Sequence, residues 1–376
     1  MPDEMHRSNA AGSKPFSRRS LLKAAAALPV AAAAGGLAMP AIAQGAKTVK
    51  LTLPWLANGS SLFTFVAKNQ GYFKKRGIDI AISRGFGSVA AAQAVGAGEF
   101  DYGFIFAGGT ILGAARGLPL VAMATLGYDS TMGMVVRADS PIKAPKDLEG
   151  KKIGTVSTSA EAPYWPAYVR KTGIDPSGVS MVQMDARVVE QSVVNKQVDA
   201  ITAIATSSIP VMLAMKEPPR FMPWNAAGVS LYSGQVVTTQ ANLAKDKELS
   251  RAVTEALTEG LAFALKDPEA GIDIFMKEVP ELAVTKGGKE NAKISQAMMH
   301  YTVMSKEAQT HSIGFTDMAK AAEMVDLVME FGAPKDAKKP DASTLFTNAF
   351  AGAVKLTPAE WDNVKKNVAE YAAILG

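Results

Sequence analysis

The chain has 376 residues, 48% hydrophobic and 20% charged, enough for two domains with a sizeable core. Cysteine is absent, which excludes disulfides, thiolate metal sites and a catalytic or lipidated cysteine; His6, His300 and His311 are the only histidines for a metal site or triad. The net charge is +5, but Arg7, Lys14, Arg18, Arg19 and Lys23 crowd the first 43 residues against Asp3 and Glu4, so the remainder presents no broad basic surface for nucleic acid.

Ser17-Arg18-Arg19-Ser20-Leu21-Leu22-Lys23 precedes an alanine-rich apolar run over residues 24–39. Ala41-Ile42-Ala43 then supplies the small-x-small pattern of a signal peptidase site. This predicts a secretory signal of twin-arginine type over residues 1–43, cleaved near Ala43-Gln44, and a mature protein in the periplasm. A membrane anchor is the weaker reading, because the run is short and broken by Pro29 and Gly35-Gly36.

Residues 49–53 read as a strand closed by Pro54-Trp55, and residues 56–61 as a loop feeding a helix over 62–69. Gly71 and Gly77 stop this helix and a following turn; Lys74-Lys75-Arg76 between them reads as a solvated face. Ile78, Ile80 and Ile82 alternate as a strand. The stretch Ser88 to Gly109 organises the rest: a short helix with Ser88 as candidate N-cap, a turn at Gly96 and Gly98, and an aromatic strand of Phe100, Tyr102, Phe104 and Phe106. The strand runs into Gly108-Gly109-Thr110 and a second helix, the arrangement whose free N–H groups bind ligands at the carboxyl ends of α/β sheets.

The phrase recurs about a hundred residues later, where residues 193–200 copy the pattern of residues 94–101 and a strand over 201–204 runs into Ala205-Thr206-Ser207-Ser208. Two such halves imply two lobes with a cleft between them. The extended apolar stretches 131–137 and 229–239 read as crossovers, and the pattern after Asn242 is helical to the end. Thr357, Pro358 and Glu360 predict a capped last helix.

Phe65-Val66-Ala67-Lys68-Asn69-Gln70-Gly71-Tyr72-Phe73-Lys74-Lys75-Arg76-Gly77-Ile78-Asp79-Ile80 resembles the N-terminal signature of the periplasmic solute-binding proteins of nitrate, sulfonate, taurine and thiamine-precursor ABC importers. Gly98 to Gly103, Asp147 to Gly154 and Gln197 to Ala200 resemble later blocks of that family, although Asn195-Lys196-Gln197 occupies a turn where the family usually has glycine. The resemblance implies an α/β, two-lobed periplasmic binding protein fold, type II-like, each lobe a mixed sheet flanked by helices, with two crossover strands as hinge. On this reading residues 44–130 and 240–350 form lobe 1, residues 131–239 lobe 2, and residues 351–376 a C-terminal helix. Pro54-Trp55 followed by Asn58 is similar to the thiamine-precursor branch, whose ligands are flat rings.

Candidate ligand contacts come from the loops at strand carboxyl ends: Trp55, Asn58, Ser60, Phe86, Ser88, Gly108, Gly109, Thr110 and Thr131 in the first lobe, and Ser157, Thr158, Ser159, Glu161, Trp165, Asp185, Thr206 and Trp224 in the second. Trp55 is the foremost of these. Trp165 reads more readily as core, and Thr158 with Glu161 equally as a capping box. Glu161 and Asp185 oppose a simple anion site; were both to face the cleft, a ligand with an amine or ring N–H would fit better. The expected function is capture of a small organic solute (sulfonate, aromatic acid or pyrimidine-like) by hinge closure and its delivery to the permease of an ABC importer, by a monomer without cofactor, metal or catalysis. The alternatives are an exported sensor and, more remotely, an enzyme resembling the pyrimidine synthases of thiamine biosynthesis.

Overall fold

The computed structural model describes residues 46–375; the expected secretory signal over residues 1–43 and its expected cleavage site lie outside the described residues. Ten strands form two five-stranded sheets. The first holds β1 (Lys47–Thr52), β2 (Ile78–Ser83), β3 (Tyr102–Phe106), β4 (Leu120–Thr125) and β10 (Gly234–Thr239) in the order β2-β1-β3-β10-β4. The second holds β5 (Met132–Arg137), β6 (Lys152–Thr155), β7 (Ser180–Gln183), β8 (Ala200–Ile204) and β9 (Pro219–Pro223) in the order β7-β6-β8-β5-β9. β1 runs parallel to β2 and β3, and β6 parallel to β7 and β8. β10 in the first sheet and β5 in the second are antiparallel to both neighbours. The two sheets therefore share one topology, and in each the antiparallel strand has just arrived from the other sheet.

This refines the reading of residues 131–137 and 229–239 as crossovers. The chain changes sheets at residues 126–131 and 224–233, and each crossing leads into a buried strand of the receiving sheet. The reason is in the residues: Met132-Gly133-Met134-Val135-Val136 and Gly234-Gln235-Val236-Val237-Thr238-Thr239 are buried throughout, as a strand flanked on both sides must be. The crossings are tied to each other. Ser130 N–H donates to the Leu231 carbonyl at 2.9 Å and Ser233 N–H to that of Gly127 at 3.0 Å, and the Tyr128 and Tyr232 rings meet edge to face at 5.3 Å.

The helical reading of the C-terminal third holds, with helices at Lys247–Lys266, Pro268–Glu278, Gly288–Val303 and Met318–Phe331. Asp246, Asp267 and Asp317 cap the first, second and fourth of these through side-chain oxygens. In the last helix, Pro358–Leu375, the Thr357 N–H donates to Glu360 at 2.7 Å and the Glu360 N–H returns a bond to Thr357, forming the anticipated capping box. Ser88 is corrected: it is the first helical residue of Ser88–Gly96, Gly87 holds the N-cap position, and the Ser88 hydroxyl instead accepts from Phe106 N–H at 3.2 Å.

Two helices belong to both halves. Gly288–Val303 puts Ala292, Met299 and Val303 into the large core, which covers the first sheet and one face of the second, and Ile294 and Met298 into the smaller core on the second sheet's other face. The final helix does likewise, with Trp361, Val364 and Val368 in the first core and Leu375 in the second, flanked by Tyr371 and Ile374. A frayed tail would bury none of this. Leu375→Ala is expected to cost about 1–3 kcal/mol in urea unfolding, the lower part of the range for buried leucines because the site is at a helix end; an unchanged midpoint would mean the last turn does not pack.

Candidate functional site

The carboxyl ends of β1, β3, β6 and β8 meet around a chamber of about 50 Å³. The loop after β1 contributes Trp55, Asn58, Ser60 and Ser61, and the β2–helix turn Gly87 and Ser88. From the other side come Ser159, Ala160 and Glu161 after β6, Thr202 on β8, Ser207 and Ser208 on the helix beyond it, and Val189 and Glu190 on the short helix Val189–Val194. The topology explains the meeting point. The strand order reverses beside β1 and β6, and side chains at such a switch point face open space rather than another helix.

Four hydrogen bonds join the two halves around this chamber. Thr158 Oγ1 donates to the Phe86 carbonyl at 2.5 Å, Asn58 Nδ2 to Ser207 Oγ at 3.3 Å, Tyr164 OH to the Gly108 carbonyl at 2.8 Å, and Ser295 Oγ to the Thr206 carbonyl at 2.6 Å. Ser295 also accepts from Ser60 N–H at 3.0 Å, so one hydroxyl pins both halves. Gly87 permits the first of these contacts. Its φ is +113°, and a Cβ there would lie 1.8 Å from the Thr158 carbonyl oxygen. Gly87→Ala is expected to force the two loops apart while leaving both sheets folded, raising the radius of gyration in small-angle X-ray scattering; an unaltered scattering profile would refute that role.

Electrostatically the chamber is one-sided. Glu161 is fully buried: its Oε1 accepts from Ser159 Oγ at 2.6 Å and lies 3.1 Å from Thr202 Oγ1, while its Oε2 has no hydrogen-bond partner. Glu190, also buried, accepts from Ser208 Oγ at 2.7 Å. No lysine, arginine or histidine is among the lining residues. Burial pushes both carboxyls above the usual carboxylate range, and the charge of Glu161 pushes Glu190 further. Among the described residues no group of three or more His, Asp or Glu is arranged to hold a metal ion.

The sequence candidates divide accordingly. Trp55, Asn58, Ser60, Ser88, Ser159 and Glu161 line the chamber. Gly108 and Gly109 stand one layer back, the first beneath Tyr164 and the second against the Ser88 carbonyl. Thr110 is buried and donates to the Phe106 carbonyl. Thr131 sits at the first crossing with φ +49°. Thr206 lends its carbonyl to Ser295, and its own hydroxyl is buried without a partner.

Five expectations are corrected. Phe86 is 64% exposed, beneath the Arg84 guanidinium. Ser157 is exposed outside the chamber, and Thr158 spends its hydroxyl on the contact between halves rather than on a helix cap. Trp224 is wholly buried and stacks on Tyr168 at 5.1 Å, with Trp165 packed against both. Asp185 is exposed and chelated by Arg187. Its place as the second carboxylate belongs to Glu190, which the sequence reading missed; the signal available was a lone acid inside Val188-Val189-Glu190-Gln191-Ser192-Val193-Val194.

The raised carboxyls set a pH dependence. The folded state holds the Glu161 proton more tightly than the unfolded chain does, so the stability this confers is full below the unfolded carboxylate range and is lost as pH rises through the folded value. Glu161→Gln removes that loss. Between about pH 5 and pH 8 the parent's melting temperature is expected to fall relative to that of the variant; parallel curves would mean Glu161 is not held protonated by burial.

Two mixed sheets exchanging one strand each, with a lined chamber between their carboxyl ends, are the periplasmic binding protein fold. The structure is similar to the periplasmic aliphatic sulphonate binding protein SsuA from Escherichia coli, with a TM-score of 0.60 and 15% identity, covering 80% of this chain and 97% of that one. The family model described as NMT1/THI5 like matches residues 58–271, more than half of the chain, and the chain belongs to that family. It is 23% identical over 340 residues to the riboflavin-binding protein RibY of Chloroflexus aurantiacus, covering 86% of this chain and 90% of the relative. It is 21% identical over 237 residues to the formylaminopyrimidine-binding protein of Halalkalibacterium halodurans, covering 62% and 72% respectively. Both relatives are binding proteins by name.

Proposed function

We propose that this protein is an extracytoplasmic solute-binding protein that closes around a small organic ligand bearing a hydrogen-bond-donating or cationic group and hands it to the permease of an ABC importer. The observation that carries the ligand class is the free Oε2 of Glu161, buried beside Glu190 in a chamber with no cation. An anion brought there opposes ionisation of both carboxyls and meets no compensating charge; a cationic or N–H-donating group favours the ionised form of Glu161, whose unpartnered Oε2 then accepts from it. The names of the two relatives, whose ligands carry ring N–H or amino groups, support this choice over a sulfonate, and Trp55 supplies an aromatic face beside it.

In this reading the sheets are the cores of two lobes, residues 44–130 with 240–350 and residues 131–239, and the paired crossings are the hinge. The helix at residues 358–375 straps the two. Ligand binding selects the closed arrangement, and closure makes the surface that the permease recognises. The leader at residues 1–43 delivers the protein to the periplasm as a monomer. No helix among the described residues is long and apolar enough to cross a membrane. An enzymatic role like that of a pyrimidine synthase is disfavoured: the chain has no cysteine, and neither His300 nor His311 lines the chamber. Presentation of the ligand to a membrane receptor would use the same site and the same closure.

The test is a titration of the purified protein with aminopyrimidines, amidines and alkanesulfonates. The nitrogen ligands are expected to bind and the sulfonates not, with Glu161→Gln weakening nitrogen-ligand binding about 10–100-fold, the worth of one hydrogen bond to a charged group. Sulfonate binding unaffected by Glu161→Gln would overturn the proposal.

A further inference from the structure

A second, larger cavity of about 590 Å³ adjoins the chamber. The two share five lining residues, Trp55, Leu56, Asn58, Glu190 and Ser207. The 3.3 Å hydrogen bond from Asn58 to Ser207 spans the gap between halves at this neck. Beyond it the wall is mainly apolar, with Phe65, Ile82, Val211, Val279 and Leu282 beside the polar Asn291 and three charged side chains. Of these charged members, Arg84 and Glu281 are exposed and Glu278 is half-buried. Arg84 lies over the Phe86 ring, and Glu278 is held by Lys68 at 2.9 Å.

The two volumes decide what goes where. A dry cavity of about 150 Å³ takes up a benzene ring, and sites for drug-sized ligands run to about 300–1,000 Å³. The chamber, at about 50 Å³, has room for a functional group rather than a ring, whereas the outer cavity, at about 590 Å³, has room for the body of a ligand. Resting on the binding function proposed above, we infer that the ligand is bipartite. A compact nitrogen donor such as an amine or amidine reaches past Trp55 and Asn58 to Glu161 and Glu190, and an uncharged apolar or aromatic body fills the outer cavity against Phe65, Ile82, Val279 and Leu282. The neck residues thereby measure the distance between head and body.

Two probes separate these parts: acetamidine, a head alone, and 2-naphthamidine, the same head on a ring system. Isothermal titration of the full protein is expected to show naphthamidine binding at least about tenfold tighter than acetamidine, from the apolar surface buried beyond the neck. Leu282→Trp, or Val211→Phe, fills the outer cavity. Either is expected to weaken naphthamidine at least about tenfold while changing acetamidine less than about twofold. Two substitutions on separate helices keep the comparison available if one of them unfolds, which a thermal melt reports. Equal affinity for the two probes, or an equal effect of the filling variants on both, overturns the bipartite ligand; the donor-head reading survives that result if Glu161→Gln still weakens acetamidine. Absence of binding by either amidine overturns both.

Discussion

A carboxyl group taken out of water without a cation beside it governs this structure. Desolvation opposes its ionised form, and the surrounding hydroxyls of Ser159 and Thr202 offset that on one oxygen of Glu161 only. Glu190, buried in the same lining, raises the opposition, since two like charges in one low-dielectric space disfavour each other. Such an arrangement costs stability, and structural packing does not call for it: the lining sets the two carboxyls and several serines among apolar side chains such as Trp55, Leu56, Phe106 and Val189. The unmet acceptor is most simply explained as half of an interaction whose other half arrives with a ligand.

The duplicated topology is what allows that acceptor to be both buried and reachable. Each sheet presents the carboxyl ends of its parallel strands to the other, so the loops after β1 and β3 face those after β6 and β8. Water is excluded when the halves meet, as they do through Thr158 on the Phe86 carbonyl and Tyr164 on the Gly108 carbonyl. Opening them would break few bonds, from loops and from the helices carrying Ser207 and Ser295, and would leave each sheet intact. The straddling helix Gly288–Val303 and the helix Pro358–Leu375 resist that motion, because each buries side chains in both cores. Movement at the crossings is therefore bounded by packing on the far side.

Much of this was legible in the sequence and some of it was not, for reasons that differ by residue. The strand–glycine–helix phrase and its second copy located both halves, because turn glycines and alternating aromatics are local signals. The same logic named the loops after β1 and β6, and Trp55, Asn58, Ser159 and Glu161 do line the chamber. Direction within a loop is not local. Asp185 follows a strand just as Glu161 does, but Arg187 two residues on neutralises it at the surface. Glu190 looked like the polar side of a short helix; it is buried because Ser208, from a helix 18 residues later, closes over it. Trp224 ends a strand as Trp55 nearly does, yet Tyr168 stacks on it and removes it to the core. In each case tertiary packing, absent from any window of sequence, decided between site and scaffold.

The fold by itself does not choose a ligand. A scaffold of the same class serves a sulphonate binding protein at 15% identity, and there the name requires an anion; the chamber here holds two carboxyls and no cation. Ligand charge is set by a few wall residues that can change while the sheets persist. Ligand size is set separately. A chamber of about 50 Å³ opens past Trp55, Asn58, Glu190 and Ser207 onto one of about 590 Å³, the basis for the proposed division of the ligand into a polar head and an apolar body. On the proposed reading, charge at one end and volume at the other act as independent filters on a solute held beneath the loops that meet at Gly87 and Thr158.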